Sequence, residues 1–463
     1  MSTFLSTIAI FIFLQVKSVT AVSTSVLKMR STTTTLNNNL PPGRGKWPFF
    51  GDTFQLISEK TMGTYQTDSR LKYGNIWKTS IFFKPTIFIT GSENLKHAFT
   101  EEAKKKTQAF FPPHHKKLFG ENSLLVQSGP YHAKLRRVIQ QSLSPQAISQ
   151  LENILSKKVL DFINECKQEK GEFKFVDKVR RFFISLAVSV LLGNDIRDQD
   201  LEALASDIAT LSKGLLSAPI TFIPWSTASR AMRARKRISQ KLLKFIEYYK
   251  SSESTPEPKN LLSRLVTTKD DIDGDFLSAD AIVDNIFTLI FAGSDTTASA
   301  MTSAIKTLSS QPDLEERLRL SQGDTRDAYL EYFITQVFSK NPPAPFSMRL
   351  VEDQPLLVSG FEVPPGWLVA YGYAGSLLGE STSDPVISLD AVKPSDKADK
   401  HLAFGGGPRM CPGRYLAVRE LKVLLSGILG VSGLKWVLEK DQNLQQVYSP
   451  GYFPVDGLKV RVV

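Results

Sequence analysis

Two short stretches carry residue types that do chemistry. The first is Phe404-Gly405-Gly406-Gly407-Pro408-Arg409-Met410-Cys411-Pro412-Gly413, followed by the apolar-periodic run RYLAVRELKVLLSGIL. Three consecutive glycines allow positive φ and bring backbone close to a bulky planar group. Cys411 falls just ahead of a helix, where the dipole and free N–H groups favour thiolate over thiol. Arg409, two residues earlier, suits a bidentate bond to a carboxylate. The combination describes a loop that offers an anionic sulfur to a metal and a guanidinium to the metal's organic carrier. A glycine-rich turn around a buried cysteine is the plainer alternative. The second stretch is Ala292-Gly293-Ser294-Asp295-Thr296-Thr297, where an acid and hydroxyls could move protons.

A long helix must carry the second stretch. Ile282, Val283, Ile286, Phe287, Ile290 and Phe291 recur at helical spacing from Ser278 to about Ser310, with Pro312 as the stop. Such a helix would cross a domain of this size from side to side. A glycine in its middle costs about 1 kcal/mol relative to alanine, and Thr296 could satisfy a carbonyl one turn back. A helix with a tolerated glycine and solvated polar residues is the bland alternative. Upstream, two β-type runs between Ile76 and Gly91, separated by Lys84-Pro85, predict a hairpin. Amphipathic helices are predicted over 131–143, 145–168, 173–192 and 230–250, with an exposed loop at 251–259. The apolar segment 214–224 fits either a ligand pocket or plain core.

Composition narrows the classes. The chain has 463 residues, 42% of them hydrophobic and 22% charged, with a formal charge of +11. These are values of a globular protein, neither disordered nor many times membrane-spanning. Two cysteines, Cys166 and Cys411, exclude a disulfide framework and an all-cysteine cluster. The five histidines show no metal-hydrolase pairing; His114-His115, like Lys104-Lys105-Lys106, reads as solvated surface. The Lys and Arg residues are scattered among acids, which argues against nucleic acid as a partner.

The first 51 residues hold Lys17, Lys28, Arg30, Arg44 and Lys46 and no acid. Phe4 to Val16 is apolar but short of the roughly 20 residues needed to span a bilayer. It reads as a signal-peptide core, and the Ser/Thr/Asn-rich stretch after it as a transit segment. Residues 1–39 are therefore expected to be an address and 40–463 a single domain opening at Leu40-Pro41-Pro42-Gly43. The expected destination is a plastid reached through the secretory pathway, or the endoplasmic reticulum membrane, with peripheral membrane contact.

The string around Cys411 resembles Phe-x-x-Gly-x-Arg-x-Cys-x-Gly, the heme-binding signature of the cytochrome P450 superfamily. Residues 292–297 are similar to its oxygen-activating helix pattern, and Gly129-Pro130-Tyr131-His132-Ala133-Lys134-Leu135-Arg136-Arg137 to its propionate-contacting helix. The resemblance runs from about Leu40 to the C-terminus and lies nearest the branch that oxidises retinoids, sterols and other isoprenoids. It implies a mainly α fold with a small β region and heme b between the long central helix and the cysteine loop. Cys411 would then be the axial iron ligand, within the loop that Phe404, Gly405 and Gly413 shape. Arg409, Arg136, His132 and Arg349 would hold the propionates, and Asp295 and Thr296 would deliver protons.

One family element is absent. The Glu-x-x-Arg pair expected before Asn341-Pro342-Pro343 is Gln336 and Ser339, and no arginine occurs from Val351 through Pro408 to complete the usual buried triad. The loop 376–400 looks short. Losing one buried ion strands its partner at about 3–5 kcal/mol, whereas losing all together costs little; Gln336 and Ser339 are expected to share a neutral hydrogen bond. The resemblance implies a monooxygenase that inserts one atom of O2 into an apolar substrate. Electrons would come from a ferredoxin or a flavoprotein reductase docked near Arg414, Arg419 and Lys422. A reductase-independent heme-thiolate isomerase and a degenerate lipid- or pigment-binding protein of the same fold stay open.

Overall fold

A computed structural model describes residues 39–44, 51–57, 62–104, 107–193, 198–215, 217, 220–251, 260–374, 387–390, 402–430, 435–449 and 451–463. Helices α1 (Thr53–Ile57) and α2 (Met62–Tyr73) precede the hairpin of β1 (Ile76–Ile81) and β2 (Lys84–Ile89). The predicted hairpin is present, but Lys84-Pro85 does not form its turn. Phe82 and Phe83 do, at φ 50° and 63°, which gives the twist that suits a two-residue connection. Pro85 lies inside β2 opposite Ser80, one residue before β2 begins its pairing with the next strand, so its missing N–H interrupts no ladder on that side.

The chain then builds α3 (Ser92–Ala103), β3 (Thr107–Ala109), α4 (Pro113–Phe119), α5 (Gly129–Ser142), α6 (Pro145–Ser149), α7 (Glu152–Gln168), β4 (Glu172–Lys174) and α8 (Phe175–Leu192). The helix expected over 145–168 is broken at Gln150–Leu151. Further helices are α9 (Asp198–Leu215), α10 (Thr227–Ser251), α11 (Leu261–Thr267), α12 (Ala279–Ser310), α13 (Pro312–Leu320) and α14 (Gly323–Lys340). Strands β5 (Phe346–Val351), β6 (Leu356–Val358), β7 (Phe361–Val363) and β8 (Leu368–Gly372) follow. After them come α15 (Arg414–Gly430), β9 (Trp436–Leu438), β10 (Gln446–Tyr448), β11 (Tyr452–Pro454) and β12 (Lys459–Val462). The largest sheet has the order β1-β2-β8-β5-β3, parallel only between β2 and β8.

α12 is the axis. Ser278 caps it, its Oγ accepting from Ala281 N–H at 3.2 Å, and Pro312 starts the next helix instead of continuing this one. Its first half packs Ile282, Val283, Ile286, Phe287 and Ile290 into a core with α4, α5 and α8–α11. Its second half packs Ala298, Met301, Ala304, Ile305 and Leu308 into another with α7, α8 and α13–α15. Residues 292–297 sit at the change-over and belong to neither cluster. No helix among the described residues is long and apolar enough to cross a membrane.

Candidate active site

The cysteine loop is shaped by α3. Phe404 is buried and packs on Phe338 of α14 with ring centroids 4.7 Å apart and planes tilted by 54°, and its carbonyl accepts the Cys411 N–H at 2.8 Å. Gly405 adopts φ 72°, a conformation glycine takes without strain. Gly406 lies so close to the Phe99 ring that a Cβ there would overlap it. Cys411 is half-buried, and a Cβ at Gly413 would touch its Sγ at ordinary contact distance. Burial pushes its thiol above the ordinary value, against the opposing pull of the Gly413 N–H, Arg136 and Arg414. The expected thiolate preference is thus outweighed by desolvation; α15 begins only at Arg414, three residues on.

Cations gather behind the loop. Arg136 donates to the Met410 carbonyl. Arg409 Nη2 donates to the Gln127 carbonyl and, at 2.9 Å, to Ser128 Oγ. Arg349 donates through Nε to Glu102 Oε1 at 2.5 Å, and the same oxygen is 3.7 Å from Arg409 Nε. His132, one turn before Arg136 on α5, is buried; desolvation and the charges of Arg409, Arg136 and Arg349 lower it to about 4, so it is neutral at pH 7. Burial followed by the repulsion of Arg349 brings Arg409 down to about 10. Sequence reasoning missed Glu102. The signal was an acid on the apolar face of α3, in register with Leu95 and Phe99.

The adjacent residues Asp295 and Thr296 do different things. Thr296 is half-buried beside the exposed Ala292, and its Oγ1 donates to the Ala292 carbonyl at 2.6 Å. Asp295 is 5% exposed and turns to α8, where Arg180 Nε donates to its Oδ1 at 2.9 Å. Arg180 also donates to the Ser449 carbonyl and lies over the Phe453 ring at 4.2 Å. Burial raises Asp295 to about 6 in spite of the arginine. Arg180 was not singled out from sequence.

No hydrogen bond joins Gln336 and Ser339 among the described residues, contrary to expectation. α14 is instead fastened to α15 by Lys422 and Asp327 at 3.0 Å and by Arg326 Nη2 donating to the Ser426 carbonyl at 3.1 Å, and to the cysteine loop by the Phe338–Phe404 contact. Lys422 is therefore ion-paired, as is Arg419, which holds Glu152 through two bonds of 2.9 and 2.6 Å. Of the three cations expected to face a donor, only Arg414 has no acidic partner among the described residues; it lies over Tyr415. Cys166 is a buried core residue of α7, its thiol pushed up to about 12 by desolvation. His114 and His115 are not solvated surface. They are half-buried with ring centroids 4.0 Å apart, His115 Nε2 lies 3.0 Å from the Leu215 carbonyl, and burial lowers them to about 4 and 3. The segment 214–224 divides: Leu215 is buried, whereas Phe222 is exposed. The readings of residues 1–38, 252–259 and most of 376–400 lie outside the described residues.

The loop, the cations and α12 match one family. The Cytochrome P450 family model covers residues 41–322 and 389–445. The chain belongs to the cytochrome P450 family. The match pauses over the stretch that contains Gln336 and Ser339, where this P450 departs from the pattern. A putative cytochrome P450 120 of Synechocystis is 28% identical over 94% of this chain and 99% of its own. Abscisic acid 8'-hydroxylase 2 of Arabidopsis thaliana is 27% identical over 91% of this chain and 89% of its own. Cytochrome P450 26B1 of Xenopus tropicalis is 26% identical over 91% and 86%. Among solved structures, a retinoic acid-bound cyanobacterial CYP120A1 superposes with a TM-score of 0.79 and 26% identity, covering 92% of this chain and 100% of that one.

The P450 is an oxidoreductase with a heme-iron cofactor, and the residues present fit that group. Arg136, Arg349 and Arg409 converge on a region with the single carboxylate of Glu102, so the cluster carries surplus positive charge suited to a carboxylated ligand. Among the described residues, Arg136 and Arg409 otherwise bond only neutral oxygens.

Proposed function

We propose that this P450 inserts one oxygen atom from O2 into an apolar, isoprenoid-type substrate. The observation that carries the reading is a half-buried cysteine thiol acted on by Arg136 and Arg414, in a loop whose Arg409 joins Arg136 and Arg349 in one cationic cluster, with the half-buried Thr296 at the change-over of α12. Bound heme b would supply the oxygen-activating iron, with Cys411 as its ligand through sulfur. Arg136, Arg409, Arg349 and neutral His132 would hold its carboxylates. Thr296 holds its hydroxyl proton toward a helix carbonyl and can redirect it. Asp295, near 6, exchanges a proton at physiological pH, provided Arg180 releases one of its oxygens. The names of the relatives, abscisic acid hydroxylase and a retinoic acid-bound P450, favour an isoprenoid acid as substrate.

Electrons come from a ferredoxin in a plastid or a flavoprotein reductase at the endoplasmic reticulum. The apolar Phe4–Val16 and the polar stretch after it support both destinations. Peripheral membrane contact is favoured by Phe222 and Trp225, 66% and 78% exposed, in a segment from Ile208 to Ile246 with eight Lys or Arg and no acid. The deciding experiment is the absorbance spectrum after reduction and exposure to carbon monoxide, for wild type and Cys411→Ala. A red-shifted Soret band lost in the variant is expected. Well-folded protein that takes up no heme would sink the monooxygenase and favour the binding protein, the reading that Gln336 and Ser339 support.

A further inference from the structure

Residues 120–128 connect α4 to α5 through turns; α12 holds residues 122–124, and the Ala109 N–H of β3 holds Ser128 Oγ at 3.0 Å. Asn285, 1% exposed, accepts from the Leu124 N–H at 2.7 Å. It donates to the Asn122 carbonyl at 2.9 Å and to the Ala281 carbonyl at 2.8 Å. One side-chain amide thus grips the loop at an N–H and a C=O two residues apart, as a neighbouring strand would. Its neighbours on α12 reinforce the grip. Asp284 Oδ2 accepts from the Asn122 N–H at 3.0 Å, and Thr288 Oγ1 shares a 2.8 Å hydrogen bond with Ser123 Oγ. Arg235 of α10 closes on the other oxygen of Asp284. Gly120, at φ 92°, passes so close to that carboxylate that a Cβ would overlap it.

The same loop ends in the two residues that hold Arg409. Among the described residues, the hydrogen-bond acceptors of Arg409 are the Gln127 carbonyl and Ser128 Oγ. Its remaining charged surroundings are Glu102 at 3.7 Å and the repelling Arg349 and Arg136. Where the loop places residues 127 and 128 therefore decides where the guanidinium points. We infer that Asn285 is a positioning residue for Arg409: by clamping 122–124 to α12 it fixes the acceptors that aim Arg409 beside Cys411. α12, about three turns further on, carries Thr296, so the clamp makes the hydroxyl and the guanidinium parts of one rigid frame. The mechanical link stands by itself; its effect on heme rests on the reading of Arg409 given above.

Asn285→Leu keeps the γ-branched shape of the side chain and removes both bonds to the loop. In full-length protein, hydrogen–deuterium exchange should accelerate about tenfold over residues 121–128 and, together with them, over 405–411. Acceleration confined to 121–128 overturns the inference, whether or not heme is bound. In heme-loaded protein, transfer of heme to excess apomyoglobin should be about tenfold faster. It should also be non-additive with Arg409→Lys: once the guanidinium is gone, the Asn285 change adds nothing. Independent, multiplying effects on the two rates would mean that Asn285 merely supports the fold. If Asn285→Leu fails to fold, Thr288→Val, which removes the bond to Ser123 and, within α12, the one to the Asp284 carbonyl, takes its place in both measurements with the same outcomes at smaller size. Failure of wild type to bind heme strikes the cofactor reading, while the exchange measurement still decides the clamp.

Discussion

The Asp295–Arg180 pair makes a prediction whose size and sign follow from burial. Asp295 is 5% exposed and already stands at about 6, against an ordinary 3.8, with the arginine 2.9 Å away. A carboxyl with a raised folded-state pKa binds its proton more tightly in the native state. The stability it contributes is full below about pH 4 and declines as pH rises to the folded pKa, by about 3 kcal/mol over some two units. Arg180→Gln removes the cation that holds Asp295 down. The folded pKa should climb by about one to three further units, so the decline continues past pH 6 and costs about 1.4–4 kcal/mol more by pH 8 to 9. Urea unfolding of wild type and variant at pH 5, 6, 7 and 8 reads this directly. The gap between the two is expected to widen with pH, and Arg180→Gln/Asp295→Asn should close the widening part. A gap of constant size from pH 5 to 8 would refute the argument, and assign the loss to the contacts of Arg180 with Phe453 and Ser449.

Glu420 of α15 is buried, and desolvation raises it from 4.5 to about 8. Wild type should therefore lose stability as pH rises from about 4.5 to 8, and Glu420→Gln should outlast it at pH 8.5 by up to about 5 kcal/mol while matching it at pH 5, as thermal melts will show. Gly406→Ala drives a methyl into the Phe99 ring and should lower the urea midpoint by the equivalent of about 1–3 kcal/mol; unchanged stability would mean that α3 and the loop separate easily. Arg414, without an acidic partner among the described residues, should dominate docking of the electron donor. Arg414→Glu should raise the donor KM several-fold and flatten its dependence on salt, whereas an ionic-strength-independent wild-type Vmax/KM would rule out electrostatic docking.

The local signals were legible where one pattern decides the outcome. The period of Ile282, Ile286 and Ile290 fixes α12 to within a residue, because Ser278 caps it and Pro312 cannot extend it. The glycines before Cys411 announce a backbone that other residues would strain, as Gly405 and Gly407 bear out at φ 72° and 61°. Less legible were contacts between residues far apart in the chain. Glu102 meets Arg349 across 247 positions and Asn285 meets Leu124 across 161; no window of sequence shows which acid or amide will face which partner. The hairpin turn was misplaced because Lys84-Pro85 looks like a breaker, while strand twist favours the positive φ angles of Phe82 and Phe83. His114 and His115 were misjudged because their burial depends on where α9 ends.

The pairing of β4 with β12 has a consequence for the order in which the fold is made. Lys174 lies opposite Lys459 and Glu172 opposite Arg461, and β12 also carries β9 on its other edge. During synthesis at about 5–20 residues per second, β4 waits about 15 to 60 s for its partner to emerge. Throughout that interval the strand has an open edge beside Phe175 and Phe183, side chains that the finished protein buries completely. The helices on either side can form early, but their shared core is sealed last, from the C-terminal end. Nascent chains of this P450 therefore pass through a stage in which a sticky edge is presented to solvent, and dependence on chaperones should be greatest there.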